Sequence, residues 1–122
     1  MRSRMPDIHH RLIMNAPREE VFSALTEAVS SLVSEAGAFV RTLDFDRDAR
    51  AVWRCIDGPS DWLGTEIAIE LTGEGPGTVV RFTHRYWKDA TDALATCATR
   101  WAMLLLGLQT YVAIPEPDDV AI

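Results

Sequence analysis

The sequence lacks several features that mark particular classes of protein. It has no basic cluster in 122 residues of formal net charge −6, which argues against nucleic acid or an anionic membrane surface as a partner. Its longest strongly apolar run, 101–108, is too short to cross a bilayer, and its N-terminus has no apolar signal region. Its two cysteines, Cys55 and Cys97, are too few for a disulfide framework. These absences predict a cytoplasmic protein with reduced thiols.

Motifs for metals, phosphates and catalysis are also missing. One aspartate-rich turn begins like a calcium loop, but Ala49 stands where glycine is needed and Cys55 where a bidentate glutamate is needed. The glycines of 73–77 lead into a strand, so they indicate no phosphate site. His9 and His10 are adjacent on a strand and point to opposite faces, unlike a two-histidine metal site. With no G-x-S-x-G elbow and no carboxylate clearly buried with a partner, we expect no cofactor, no metal and no catalytic constellation.

The strongest pattern lies in 77–112, which predicts a strand followed by a long C-terminal helix. Residues 77–87 alternate with period two, the pattern of a sheet with one buried face. That face carries Thr78, Val80, Phe82, His84 and Tyr86. The helix has apolar residues at three- and four-residue steps, which form one stripe. The stripe comprises Leu94, Cys97, Ala98, Trp101, Leu104, Leu105, Leu108 and Val112.

The preceding chain predicts one helix and four further strands. We expect the helix over 16–36, with Asn15 as N-cap, Pro17 in the first turn and Gly37 as a left-handed stop. Polar turns too short for a parallel crossover connect the later strands, so the sheet is an antiparallel meander. The strands are expected over 7–14, 38–46, 50–57 and 62–72. In the last of these one face is buried, and the face with Glu66 and Glu70 is expected to be wet.

This order of elements predicts an α+β helix-grip fold, in which about five antiparallel strands pack on a long C-terminal helix. At 122 residues and 48% hydrophobic, the chain suits a single core. We therefore predict a single domain over 1–122, with an irregular tail from about 113.

Five segments form a combination found in a known superfamily. They are APREEVFSALTE, AVWRC, WLGTEIAIEL, GTVVRFTHRYW and CATRWAMLLLGLQTYV. In these segments, within 6–113, the chain resembles the SRPBCC (START-like) superfamily, in the branch similar to Aha-type activators of a heat-shock chaperone ATPase. The resemblance implies a curved sheet that grips the C-terminal helix, around a cavity that holds an apolar small molecule in many relatives.

The chain departs from that family pattern after its first helix. Members usually carry a second short helix and a β-hairpin there, and both are missing from this sequence. Five strands then remain, and the strand over 38–46 becomes an uncovered edge, which is a pairing surface. We therefore expect a homodimer, formed through this edge or through the open flank of the cavity.

The candidate ligand-binding residues lie on the inner sheet face and the closing helix. They are Trp53, Cys55, Ile67, Phe82, His84, Tyr86, Cys97 and Trp101. His84 could orient a polar ligand atom or act as a base, but a histidine on an apolar face is more often a core residue that bonds a backbone carbonyl. The tryptophans either line a pocket or fill volume. The cysteines are expected to be buried and unreactive.

Three functions stay open. The first is non-enzymatic binding of an apolar or aromatic small molecule between the sheet and the C-terminal helix. The second is a chaperone-regulating protein-interaction module similar to the activators, although those combine this domain with a second one. The third is a cyclase- or hydrolase-type enzyme with His84 as general base. The cavity itself could be open, sealed by a dimer or filled by the first helix.

Overall fold

A computed structural model describes residues 7–113, and the tail predicted from about 113 lies outside them. The elements in chain order are β1 (Ile8–Met14), α1 (Arg18–Glu35), β2 (Phe39–Asp46), β3 (Arg50–Asp57), β4 (Glu66–Glu74), β5 (Gly77–Arg85) and α2 (Asp92–Ala113). The strands form one curved antiparallel sheet in the order β1-β5-β4-β3-β2. The predicted α+β helix-grip fold with five strands is therefore confirmed. None of the helices described is long and apolar enough to cross a membrane.

Helix α1 begins later than predicted. Its N-cap is Pro17, which is extended (φ −66°, ψ 156°) and makes no side-chain cap bond. The Pro17 carbonyl accepts the first bonds of the helix, from the N–H groups of Glu20 and Val21. Asn15 is therefore not the N-cap, because helical geometry is disfavoured for Ala16, the residue before a proline. Pro17 itself has an extended ψ, so the helix begins at Arg18.

The C-terminal end of α1 is closed as predicted by Gly37, whose φ is +76°. The Gly37 N–H bonds to the Ser34 carbonyl at 3.0 Å and the Ala38 N–H to the Val33 carbonyl at 3.1 Å, the two bonds of a Schellman motif. The loop after β3 packs tightly on this end. A Cβ on Gly58 would lie 2.8 Å from the Ala38 Cα, so only glycine fits there.

Two strand boundaries differ from the predictions. Strand β4 does not start at 62, because residues 60–64 form turns and the Thr65 N–H bonds back to the Trp62 carbonyl. Strand β5 does not continue to Trp87, because Tyr86 has a φ of +71° and is 45% exposed. This left-handed residue ends the alternation and turns Trp87 back into the core.

Both helices lie on one face of the sheet. Helix α2 lies beside β1, where the Gln109 side chain donates to the Ile13 carbonyl at 2.8 Å. Helix α1 reaches β2, where the rings of Phe22 and Phe45 meet edge to face at 5.4 Å. The predicted stripe of α2 and the apolar side of α1 pack on the inner sheet face. Their buried apolar residues are Val21, Phe22, Leu25, Val29, Leu32, Val33, Cys97, Trp101 and Leu105.

Candidate functional site

Half of the predicted ligand-binding residues meet in the centre of the core. His84 and Trp101 have no exposed surface, and Phe82 and Ile67 are 1% exposed. The Phe82 and Trp101 rings lie 4.6 Å apart, and Ile67 is the cross-strand neighbour of His84. Because a side chain beside a water-sized space would keep some accessible surface, these four residues are packed against protein on all sides.

The hydrogen bonds of His84 determine its tautomer. The Thr65 hydroxyl donates to the Trp62 carbonyl at 2.6 Å, so its oxygen is free to accept from the His84 Nε2–H at 2.8 Å. The other ring nitrogen, Nδ1, accepts from the Trp101 indole N–H at 3.1 Å. The imidazole is therefore neutral, with its proton on Nε2 and its one lone pair in use.

Three of the four tryptophans surround this imidazole. The ring centroids of Trp62, Trp87 and Trp101 lie 4.9, 4.6 and 6.0 Å from that of His84. Trp87 also donates its indole N–H to the His84 carbonyl at 3.1 Å. One residue therefore supplies acceptors to two indoles through its side chain and its backbone. We refer to His84, Thr65 and these three tryptophans as the His84 cluster.

The His84 cluster has the geometry of a structural core. Burial lowers the pKa of His84 to about 3, because a charged imidazole would lose its hydration without gaining an acid partner. With neither a free lone pair nor exposed surface, His84 is not positioned as a general base. The structural interpretation of this histidine fits better, but its partners are two side chains and not the expected backbone carbonyl.

The other predicted site residues are spread around this cluster. Trp53 is half-buried at the side of the core towards β2. Cys55 and Cys97 are free, buried thiols, and burial raises the pKa of each. Tyr86 lies outside the interior, because its backbone leaves the strand there. No group of three potential metal ligands occurs within residues 7–113.

A buried carboxylate was missed by the sequence analysis. Glu66 lies on the outer sheet face, yet its side chain is 7% exposed and accepts from Arg54 at 2.7 Å and from Arg85 at 3.0 Å. Burial alone would raise the pKa of Glu66, but the two arginine hydrogen bonds outweigh it and the pKa is lowered. The expectation of a wet face at Glu66 is therefore wrong. The meander register could have indicated this pairing, because both arginines are direct cross-strand neighbours of Glu66.

Strand β2 is an edge of the sheet, as predicted, and it bears exposed apolar side chains. Phe39, Leu43 and Phe45 are 64%, 44% and 55% exposed, and we call these three residues the edge surface. Two register shifts, next to Val40 and next to Leu43, interrupt the strand. Bulges twist an edge away from a straight partner strand. A second molecule would therefore contact the edge surface mainly through side chains and not through a continuous ladder of backbone hydrogen bonds.

Comparison with solved structures places this fold among known proteins. The Aha1 dimer from Colwellia psychrerythraea is 28% identical and superimposes with a TM-score of 0.77, covering 90% of this chain and 98% of that one. CalU16 from Micromonospora echinospora is 19% identical, with a TM-score of 0.72 and coverage of 89% and 77%. Protein MLL2253 from Mesorhizobium loti is 14% identical, with a TM-score of 0.68 and coverage of 86% and 95%. No family model and no curated protein matches the chain.

These likenesses establish an SRPBCC-like helix-grip fold. They extend over most of this chain in each case. The last two relatives are too distant to carry more than the fold. The first is closer in sequence and matches this chain almost end to end, so it bears on the function proposed below.

Proposed function

We propose that this chain is a non-enzymatic protein-interaction module, similar to the Aha-type activators, that acts through its surface as a homodimer. The single observation that carries the proposal is the closed packing of the His84 cluster. His84 and Trp101 have no exposed surface, and they hold each other by a hydrogen bond. A function that needs a ligand against these two residues would first have to break that packing.

The likeness to the Aha1 protein supports the same proposal. The activators were expected to combine this domain with a second one, which counted against this function. In the Colwellia comparison a single domain of this fold accounts for 98% of the other chain. The lack of a second domain therefore no longer counts against this function, because a one-domain protein of this size also carries the Aha1 name.

The proposed homodimer uses the edge surface. The Colwellia protein is described as a dimer, and apolar side chains grouped at a sheet edge are a typical association surface. The apolar side chains of Phe39, Leu43 and Phe45 would lose contact with water in such a dimer. This location is one of the two that the sequence predicted for a dimer, the other being the open flank of the cavity.

Binding of an apolar small molecule stays a prediction and is the second candidate. The partly buried side chain of Trp53 favours it, because that indole packs against the core without being enclosed by it. Any ligand would therefore lie beside Trp53 and not against His84. Native mass spectrometry of freshly purified protein tests this candidate, and an added small-molecule mass that Trp53→Ala removes would support it.

The main proposal is tested with the heat-shock chaperone ATPase of the same organism. We expect the hydrolysis rate to rise and saturate as the chain is added. An inhibitor of the chaperone nucleotide site should abolish the added activity, which excludes a contaminating ATPase. An unchanged rate, together with no complex in sedimentation, would refute the chaperone-regulating role.

The dimer is tested separately by sedimentation velocity. Leu43→Lys places a charge in the edge surface and should convert the dimer to a monomer. Tyr111→Lys is the matched control, since Tyr111 is 68% exposed on α2 and lies outside the edge surface. A wild-type monomer, or a dimer that Leu43→Lys leaves intact, would contradict this assembly.

A further inference from the structure

The outer face of the sheet has a groove of about 590 Å³ that runs across the strands. The strand register aligns the outward side chains in rows, and three of these rows lie at the groove. The first row is Arg11, Arg81, Glu70, Arg50 and Asp46. The middle row is His9, Thr83, Ala68, Val52 and Asp44. The third row is Arg85, Glu66, Arg54 and Arg41. Short side chains at the centre of the middle row lie between long ones, and this difference in length makes the groove.

The groove is basic on an acidic protein. Four arginines and one glutamate line it, namely Arg11, Arg50, Arg81, Arg85 and Glu70, whereas the whole chain has a net charge of −6. A local surplus of positive charge on such a chain attracts anionic groups to this one face. We call this surface the arginine groove.

The arginines of the groove differ in how far they are already neutralised. Arg85 is paired with Glu66 at 3.0 Å, and Arg50 with Asp44 at 2.7 Å. Arg11 and Arg81 form no ion pair with any acid of residues 7–113.

These two arginines, which have no acidic partner within residues 7–113, are also direct cross-strand neighbours. Like charges in that position destabilise a sheet. Glu70 is the neighbour of Arg81 on its other side, on β4, so an anion that contacts both Arg11 and Arg81 would offset the repulsion that remains between them.

The shape of the groove favours a polypeptide over a small molecule. Small-molecule sites are concave, mostly apolar and enclose most of the ligand. The arginine groove lies across an exposed sheet face, and charged side chains border its floor of Thr83, Ala68 and Val52. Surface arginines around small apolar residues are typical of a protein interface, since the guanidinium fork pairs with carboxylates in a defined geometry.

We propose that the arginine groove binds an extended acidic segment of a partner protein. One carboxylate is held between Arg11 and Arg81, and a short side chain of the segment lies over Ala68 and Val52. The inference rests on the proposed function in one respect, that the chain acts through its surface. It adds the chemistry of the partner and the face on which the partner docks.

Fluorescence anisotropy with a labelled peptide of alternating Glu and Ala tests this inference. We expect binding at low ionic strength that weakens as salt is added, and no binding of the same peptide with Gln in place of Glu. Arg11→Gln and Arg81→Gln should each weaken binding by about tenfold, because each removes one of the two charges proposed to hold the carboxylate. Glu70→Gln should strengthen binding, because it removes the acid that lines the groove.

Arg100→Gln is the matched control. It makes the same change of charge on α2, where Arg100 pairs with Glu35 at 3.5 Å, and should leave peptide affinity within about twofold of the wild type. Equal weakening by all three arginine variants, no binding of the Glu peptide, or equal binding of the Gln peptide would overturn the inference. Displacement of the peptide by inorganic phosphate at similar affinity would also overturn it, because the groove would then be a small-anion site.

The outcome is separable from that of the proposed function. Sedimentation of the same samples reports the dimer, and the chaperone assay reports regulation. An unchanged ATPase rate without a complex would refute the chaperone-regulating role, and a wild-type monomer would refute the dimer. Peptide binding that is still sensitive to Arg11→Gln in either case would retain the groove. Loss of peptide binding with both other properties intact would refute the groove alone.

Discussion

The indole N–H of Trp101 donates to Nδ1 of His84 over 3.1 Å, and this bond joins the closing helix α2 to strand β5. Neither residue has exposed surface, so water cannot replace either partner. The bond occupies the only lone pair of the imidazole, since the Nε2 proton is already donated to Thr65. The same contact therefore fixes the helix position and leaves His84 without a free lone pair to accept a proton.

Trp101→Phe should destabilise the protein by about 3 kcal/mol, because it leaves the buried Nδ1 without a donor and opens a small cavity. Chemical denaturation measures the change. Trp53→Phe is the matched control, since Trp53 is only half-buried and lies outside the His84 cluster, and it should cost about 1 kcal/mol or less. Equal losses of unfolding free energy in the two variants would contradict a special role for the hydrogen bond between Trp101 and His84.

Stability should depend on pH through His84. The folded pKa is about 3, whereas an unfolded histidine titrates near 6.5. Between these values the unfolded chain binds a proton that the folded chain does not, so stability falls as pH falls. This group alone should contribute a slope of about 1.4 kcal/mol per pH unit below about pH 6.

Denaturation at several pH values between about 5 and 7 measures this slope. This range is chosen because it lies above the pH at which carboxylates titrate. His84→Gln should flatten the slope. Nitrogen NMR gives a readout on the wild-type protein, where the His84 signals should keep the neutral Nε2–H pattern throughout that range. If the His84 imidazole titrated near pH 6 in the folded protein, the interpretation of His84 as a buried neutral core residue would be refuted.

Glu66→Gln should destabilise the protein by about 1 to 2 kcal/mol, because a neutral amide leaves the Arg54 and Arg85 guanidinium groups without a carboxylate. The partial exposure of both arginines limits the loss. Glu35→Gln makes the same chemical change in an exposed pair with Arg100 and should stay within about 0.5 kcal/mol of the wild type. Thermal and chemical denaturation of both variants compare the two sites.

Two glycines should respond in opposite directions to replacement by alanine. Gly58→Ala forces a Cβ to within 2.8 Å of the Ala38 Cα at a φ of +129° and should cost about 2 kcal/mol or more. Gly107 lies within α2, and a Cβ there meets nothing within 4 Å, so Gly107→Ala should stabilise by about 0.5 to 1 kcal/mol. A Gly58→Ala protein as stable as the wild type would contradict the packing of the Gly58 loop on the end of α1. A Gly107→Ala protein less stable than the wild type would contradict the open space around Gly107.

Local patterns in the sequence were enough to predict the elements. The period-two alternation of 78–84 and the helical spacing from Leu94 to Val112 each repeat often enough to identify a strand and a helix. Two boundaries failed where one residue departed from the pattern, and the start of β4 failed because residues 60–64 form turns. Pro17 delays the first helix, and the left-handed Tyr86 ends the last strand, although tyrosine is not a usual residue for that conformation.

The candidate site was predicted less well, because its properties depend on contacts between distant segments. The sequence placed His84 on an apolar face. It could not indicate that Thr65, which lies 19 positions away, and Trp101, which lies 17 away, would use both ring nitrogens. The alternating pattern of a strand predicts that a carboxylate on its polar face is solvated. Glu66 is enclosed between two arginines only because three strands pair side by side.

The sequence by itself determined the order of helices and strands, their apolar faces and the edge position of β2, because these follow from periodicity and short connections along one chain. The tertiary structure decided that the interior is filled around His84, that Glu66 is buried and that Arg11 and Arg81 lie side by side on the outer sheet face. Those properties arise from cross-strand register and from packing between elements. Hydrogen-bond partners and charge neighbours are therefore fixed only when the whole sheet forms.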